Sequence, residues 1–394
     1  MRIVEKEIAF EIPRGHHQHV LIAQLPTSLE LGEVGFRISA PEQQWAQFRS
    51  VLELVAVGDG NLKKLHFLFF PEAILPVARL DEALAYLDAH FRANTVTVFG
   101  VEHVRLRDYR AFLARWSVDN AEALAAVDAD LDAGNVGEVP VNWCVIAVKE
   151  ADGRLRIFLE AKSHPFFGEE TVDPFHDLYR GKIFPLFRCR PTCFNFMTLI
   201  CLDYIYRDLY SSNISTIIEQ ANELFFETRQ RLDLLAVIEC NPKPEHPAWR
   251  DVVNGFYGEY LSSTPGVHDT VTLFANASRD SLCLDLRGEQ QFGHSAVVIH
   301  KSHKLEKIER AEFATDDFAG LPVCRLRFGA ATRLYYFNLP FFHELDPRTS
   351  RLALKVHSIF RPQDAGWVQI AGEEMGMISD NSANESNTTP RGEP

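Results

Sequence analysis

Positive charge is scarce in this sequence: 40 Lys and Arg stand against 54 Asp and Glu, a formal charge of −14. That balance repels phosphate backbones unless a local basic patch overrides it, so nucleic acid is not expected as a direct partner. Long apolar runs are missing as well. One of the longest, Phe194 to Cys201, stops before Asp203, far short of the roughly 20 residues a membrane-crossing helix needs. Met1 to Gly15 mixes charged residues with short apolar pieces and lacks the basic-then-apolar layout of a signal peptide. The expectation is a cytoplasmic protein without membrane association. Disulfide framing is absent too: the cysteines at 144, 189, 193, 201, 240, 283 and 324 are scattered, in a chain too large to need staples. Cys189 and Cys193 form the only close pair, and no second pair follows to complete a zinc site. His16, His17 and His19 have no carboxylate nearby and read as a solvated loop before a strand. No internal repeat and no metal site are expected.

What the chain does have is apolar bulk: 394 residues, 46% hydrophobic, with 29 Phe, enough for a large α/β core. Apolar runs alternate with amphipathic stretches, the pattern of an α/β fold. His19 to Leu25 reads as a buried strand. Trp45, Phe48, Leu52 and Val55 fall at helical spacing within Pro41 to Val57. Leu65 to Phe70 is a strand ended by Pro71, which leaves Glu72 at a strand's carboxyl end. A helix over Leu80 to Arg92 and a strand over Thr95 to Phe99 complete β-α-β-α-β.

Ala121 to Asp132 is helical. The strands Asn142 to Val148 and Leu155 to Glu160 are joined by Asp152-Gly153, a strong hairpin signal, and Lys162 follows directly. Phe194 to Ile200 is a strand that stops at Cys201, with a helix expected from Asp203 to Tyr210. Cys201 is thus placed at a strand-to-helix turn, where backbone N–H groups are free to receive an anion. Beyond it come helices over Ile214 to Gln230 and Trp249 to Leu261. Strands are expected at Leu232 to Ile238, Thr270 to Ala275, Ser295 to His300, Val323 to Phe328 and Leu334 to Leu339. The expected division is an N-terminal extension over 1–18, one domain over 19–345, a C-terminal extension over 346–371 and a disordered tail over 372–394. The tail is rich in Ser, Asn, Thr, Glu and Gly, and cannot offset its ordering entropy.

Taken singly, Cys201 reads as a buried apolar cysteine, Lys162 as a surface ion pair and Glu72 as a helix-start carboxylate. Their order and surroundings say more. Phe70-Pro71-Glu72, then Asn142 with Asp152-Gly153 and Lys162, then Ile200-Cys201-Leu202-Asp203, resemble the segments of nitrilase-like carbon-nitrogen hydrolases. So do "VLIAQLP", "DLLAVIECNPKPEHPAW", "LFANASRDS" and "FGHSAVVI", in family order from about Val20 to Pro340.

The resemblance implies a four-layer α-β-β-α sandwich and a homodimer or larger homo-oligomer. It also implies a cofactor-free thiol hydrolase acting on a small-molecule amide or carbamoyl C–N bond. Cys201 is implied as nucleophile, Glu72 as general base, and Lys162 with the Leu202 N–H as the oxyanion's partners. A second glutamate after the lysine is implied, at Glu169 or Glu170. The chain departs from the family in lacking a Gly shortly before Cys201. It has Tyr206-Arg207-Asp208 where a second Phe-Pro-Glu is usual, and "IHKSHKLEK" in place of a Pro-Gly turn. No Trp-Glu follows the cysteine, which favours an amide over a nitrile. An acyltransferase using the same cysteine and a catalytically silent assembly module are the alternatives.

Overall fold

Alternating apolar character extends over strands in both halves of the chain, and the outcome is two large sheets. The computed structural model describes residues 1–12, 17–58, 60–134, 137–165, 178–206, 212–228, 230–247, 249, 251–252, 264–267, 269–283, 290–300, 308–317, 323–339, 354–364 and 366–370. Glu169, Glu170, His16 and the expected tail lie outside these residues, as does most of the expected helix from Trp249 to Leu261.

The second sheet starts with β1 (Arg2–Phe10), and β2 (Gln18–Gln24) opens the first. A small sheet uses β3 (Ser28–Gly32) and β4 (Gly35–Ile38). The first sheet continues with β5 (Phe67–Phe69), β6 (Thr95–Arg105), β7 (Pro140–Lys149) and β8 (Leu155–Ala161). The second takes β9 (Ile183–Pro191), β10 (Asn195–Ile200), β11 (Leu234–Glu239) and β12 (Val271–Asn276). β13 (Leu282–Cys283) joins the small sheet. β14 (Ala296–His300), β15 (Phe313–Asp317) and β16 (Val323–Phe328) close the second sheet. β17 (Arg333–Leu339), β18 (Lys355–Gln363) and β19 (Gly366–Gln369) return to the first. Spatially the first runs β19-β18-β17-β2-β5-β6-β7-β8 and the second β1-β9-β10-β11-β12-β14-β16-β15. Each has a parallel centre, β2-β5-β6 and β10-β11-β12, as strands joined by long crossovers rather than tight hairpins allow.

The two sheets face one another. Phe67 of β5 meets Phe194 and Phe196 at ring distances of 5.7 and 5.3 Å, and Phe158 meets Phe187 at 4.9 Å. The Thr198 hydroxyl crosses between them to the Glu160 carboxyl at 2.7 Å, and burial pushes that carboxyl well above the usual carboxylate range. The opposite face of the first sheet is covered by α1 (Pro41–Val57), α2 (Leu80–His90), α3 (Leu106–Arg115) and α4 (Ser117–Asp132). Phe48 of α1 stacks on Phe70 at 4.2 Å, and Phe112 of α3 on Trp143 at 5.2 Å. α1 begins on Pro41, where a missing N–H costs nothing, and ends on Gly58 at φ 59°, whose N–H caps the Leu54 carbonyl. In α5 (Asn213–Phe225) the stripe Ile214, Ile217, Ile218, Ala221 and Phe225 joins the core of the second sheet. None of the described helices is long and apolar enough to cross a membrane.

Several expectations change. The sheets extend beyond 19–345 on both sides: β1 pairs along β9 from Arg2 to Phe10, and β18 and β19 lie past residue 345. Of the helix expected from Asp203 to Tyr210, the described part, 203–206, is the end of a 3-10 turn over Cys201–Asp203 and the turn after it, and 207–210 lie outside the described residues. His19 is not in a solvated loop: it belongs to β2, is 8% exposed, and its ring stacks on Tyr336 at 5.7 Å. β2 lies between β17 and β5 with both faces covered, so its side chains are buried whatever their polarity.

Candidate active site

Glu72 is placed by a tight turn at the end of β5. Phe70 still pairs with the first sheet, its N–H on the Val98 carbonyl at 2.8 Å, but Pro71 cannot donate and the ladder breaks. The chain then folds over Gly100 of β6, with Ala73 at φ 49°. Gly100 donates to the Pro71 carbonyl and accepts from Ile74 and Leu75, each at 3.1 Å. A Cβ on Gly100 would lie 2.3 Å from the Ala73 nitrogen and 2.6 Å from Glu72 Cα, so only glycine permits this approach. The Glu72 side chain, in a residue 5% exposed, enters the interior.

Lys162 reaches it from β8. Its N–H bonds the Asn142 carbonyl at 2.8 Å, continuing the β7–β8 ladder one residue past Trp143 and Ala161. Gly181 donates to the Lys162 carbonyl and packs so closely on the Ala161 peptide that a Cβ there would lie 1.9 Å from the Ala161 oxygen. Lys162 Nζ donates to Glu72 Oε1 at 2.8 Å, and the lysine is fully buried. Asn142 Nδ2 donates to the same oxygen at 2.7 Å, and the Cys240 N–H to Glu72 Oε2 at 2.9 Å. A carboxylate holding an ammonium and two further donors is the arrangement in which a buried ion pair persists.

Cys201 stands at the end of β10, 8% exposed, at φ 47°. A left-handed conformation is costly for a residue with a Cβ, and it turns the chain sharply out of the strand into the 3-10 turn holding Leu202. Asp203 fastens that turn to the lysine segment. Its carboxylate accepts from the Ser163 N–H at 3.0 Å, the Ser163 hydroxyl at 2.7 Å and the His164 N–H at 2.9 Å. Asn213 Nδ2, at the start of α5, bonds the Asp203 carbonyl at 2.9 Å. Cys201 is therefore held two residues from a clamp that grips the residue next to Lys162. Three chain ends, after β5, β8 and β10, come together at one edge of the facing sheets.

A second layer of polar groups stands behind them. Glu239, the last residue of β11, is 2% exposed and accepts from Asn241 Nδ2 at 3.2 Å. Burial pushes it up to about 8; the Asn241 bond works against this and the Glu72 charge with it. Burial, then Glu72, also hold the Cys240 thiol well up, in its protonated form. The Asn241 N–H bonds Asn276 Oδ1 at 2.8 Å, and Asn276 Nδ2 returns to the Asn241 and Gly293 carbonyls, fixing the ends of β11 and β12.

Of the residues singled out from the sequence, the structure joins Glu72 to Lys162 directly and Cys201 with Leu202 to them through Asp203 and Ser163. Asn142, marked in the sequence only as the start of a strand pair, is a direct partner of Glu72. Glu239, Cys240 and Asn241 enter the sequence reading only as part of the segment "DLLAVIECNPKPEHPAW", with no role in the site. A glutamate closing the apolar run "LLAVIE" was the available signal for Glu239. A cavity of about 700 Å³ lies elsewhere, bordered by Gln44, Arg279, Arg333 and Trp367, and touches none of Glu72, Lys162 and Cys201. Among the described residues no group of three His, Cys, Asp or Glu is arranged to hold a metal ion. No protein-family model matches the chain, and no curated protein matches it.

Proposed function

We propose that the chain is a thiol-dependent amidohydrolase of the nitrilase-like kind, acting on a non-peptide amide or carbamoyl C–N bond. The observation that carries this is the buried Lys162–Glu72 pair, formed at 2.8 Å by residues 90 positions apart and clamped beside the Cys201 turn. A thiol in a sharp turn, a carboxylate and an ammonium are the three groups acyl transfer needs.

In this scheme Glu72 takes the proton of Cys201 and the sulfur attacks the carbonyl carbon. The charge that develops on the carbonyl oxygen is met by the Lys162 ammonium and the Leu202 N–H. As the C–N bond breaks, Glu72 returns the proton to the departing amine, leaving a thioester on Cys201. Water, deprotonated by Glu72, then attacks the thioester, and the acid leaves with the thiol restored. No step requires a metal or an organic cofactor. A four-layer α-β-β-α sandwich is the proposed architecture. Supporting it are the helices α1 to α4 outside the first sheet, the two facing sheets, and the apolar stripe of α5 in the core of the second.

The test is acylation of Cys201: intact mass after exposure to a panel of amides, with Cys201→Ala as control. An adduct of acyl mass that water clears supports hydrolysis, and one cleared only by an added amine moves the proposal to acyl transfer.

A further inference from the structure

β10 and β11 pair in parallel up to Ile200 and Ile238, and β11 and β12 up to Glu239 and Asn276. One residue further along each of the first pair stand Cys201 and Glu239, so the two leave adjacent strands at the same level, at a strand spacing of about 4.8 Å. Glu239 is 2% exposed, yet among the described residues its side chain has a single hydrogen bond, the 3.2 Å one that Oε2 accepts from Asn241. Among the described residues no hydrogen bond reaches Oε1. A carboxyl group taken out of water with one oxygen unused is costly unless something else meets it. Its backbone neighbour Cys240 bonds Glu72 through its N–H, and the Glu72 charge acts on Glu239 itself, which puts Glu239 beside the site.

We propose that Glu239 is a specificity-determining residue of the Cys201 site, donating an O–H from Oε1 to an acceptor oxygen of a neutral acyl substrate. The inference rests on the amidohydrolase reading and narrows its substrate class. Glu72 acts on Glu239 directly, Lys162 and Cys283 act with it on the neighbouring Cys240, and Cys201 ends the adjoining strand. Among these Lys162 is the cation, and Glu72 already neutralises it, leaving no surplus positive charge for an anionic substrate. At neutral pH Glu239 carries the proton it donates, since burial pushes it up to about 8. A neutral carboxyl beside a carboxylate–ammonium pair recognises a carbonyl or hydroxyl oxygen on an uncharged molecule, such as a carboxamide or carbamoyl compound.

The test uses the full chain and two neutral alkylating probes, iodoacetamide, which has an acceptor oxygen, and iodoethane, which has none. Their relative rates at Cys201, read by peptide mass spectrometry, cancel the thiolate fraction. In the wild type the ratio is expected to be high at pH 6.5 and to fall as pH rises through about 8, when Glu239 loses its proton. Glu239→Gln keeps a donor and removes the titration, so its ratio should stay within about threefold of the wild-type value at pH 6.5 and remain flat as pH rises. Glu239→Leu should lower the ratio by about tenfold at pH 6.5, the scale of one hydrogen bond to a ligand, and leave it flat with pH, so that it meets the wild type above about 8. If Glu239→Leu does not fold, the wild-type and Gln profiles decide. A ratio with the same pH dependence in wild type and Gln variant overturns the inference while leaving Cys201's role intact. Alkylation of Cys201 no faster than of the other cysteines overturns the amidohydrolase reading itself.

Discussion

At Glu72 three donors from three parts of the chain meet one carboxylate: Lys162 Nζ, Asn142 Nδ2 and the Cys240 N–H. Removing the ammonium alone leaves a buried negative charge, so Lys162→Met is expected to destabilise the fold by about 3 to 5 kcal/mol. Adding Glu72→Gln removes the orphaned charge while keeping an acceptor, and the double variant should recover more than half of that loss. Urea unfolding of the two variants measures it; additive losses would show that the two side chains are not energetically paired. Glu72, Lys162 and Cys201 stand out in the sequence only through the order of the segments that carry them, since taken singly each reads as an ordinary structural residue; the Glu72–Lys162 contact itself follows from both lying at strand ends. Asn142 and Cys240 were not, since an amide bonded across the interior and a backbone N–H leave no local signature. His19 opens the strand expected from His19 to Leu25, and burial on both faces of that strand overrides the solvated-loop reading of the histidine cluster.

The elements that hold the site are short and depend on backbone contact. Gly100 lets the Pro71–Leu75 turn lie against β6, and Gly181 does the same for the Ala161–Lys162 peptide. With a Cβ 2.3 Å from backbone, Gly100→Ala is expected to displace Glu72, cost about 1 to 3 kcal/mol and slow Cys201 acylation by at least about tenfold. Gly366→Ala, where a Cβ meets nothing within 4 Å, is the control. Equal stability and equal acylation in the two variants would mean that the turn relaxes without moving the carboxylate. Helices α1 and α2 were readable from their periodicity, and the β7–β8 hairpin from Asp152-Gly153. β13, with two residues, and β4, with four, are too short to show a period, and β1 hides among charges because much of it is exposed. The turn at Cys201 depends on a positive φ that no glycine announced.

Across the whole molecule, stacking two sheets face to face removes ionisable groups from water, and this gives the fold a pH profile. Burial pushes Asp233 up to about 7, opposed by the Asn195 N–H and Arg231. An acid whose folded value is raised binds its proton more tightly when folded. Its contribution is complete below the unfolded value near 4 and is lost as pH rises through about 7. Glu239 acts in the same direction, up to about 8. His19 works at the other end: burial, with His357 and His17, lowers it to about 4, so its share is complete above 6.5 and lost as pH falls through 4. Urea midpoints are therefore expected to decline from pH 5 to pH 9, and Asp233→Asn, which keeps an acceptor for Asn195, should flatten the part below pH 7 by an amount on the order of a few kcal/mol. A variant with the wild-type slope would place the dependence on other groups. The paired sheets and helix-covered face follow from the alternation of apolar strands with amphipathic helices. That β1, β18 and β19 belong to the sheets does not, because pairing between distant segments is set by edges meeting in space.

The most direct measurement is peptide mass spectrometry of the chain after brief exposure to the amide panel, locating any acyl group. An acyl adduct on Cys201, absent from the other six cysteines and lost in Glu72→Gln and Lys162→Met under conditions where both remain folded, is the expected result. A folded chain whose Cys201 stays unmodified by every amide, or an adduct that forms equally without Glu72, would contradict the site's assignment.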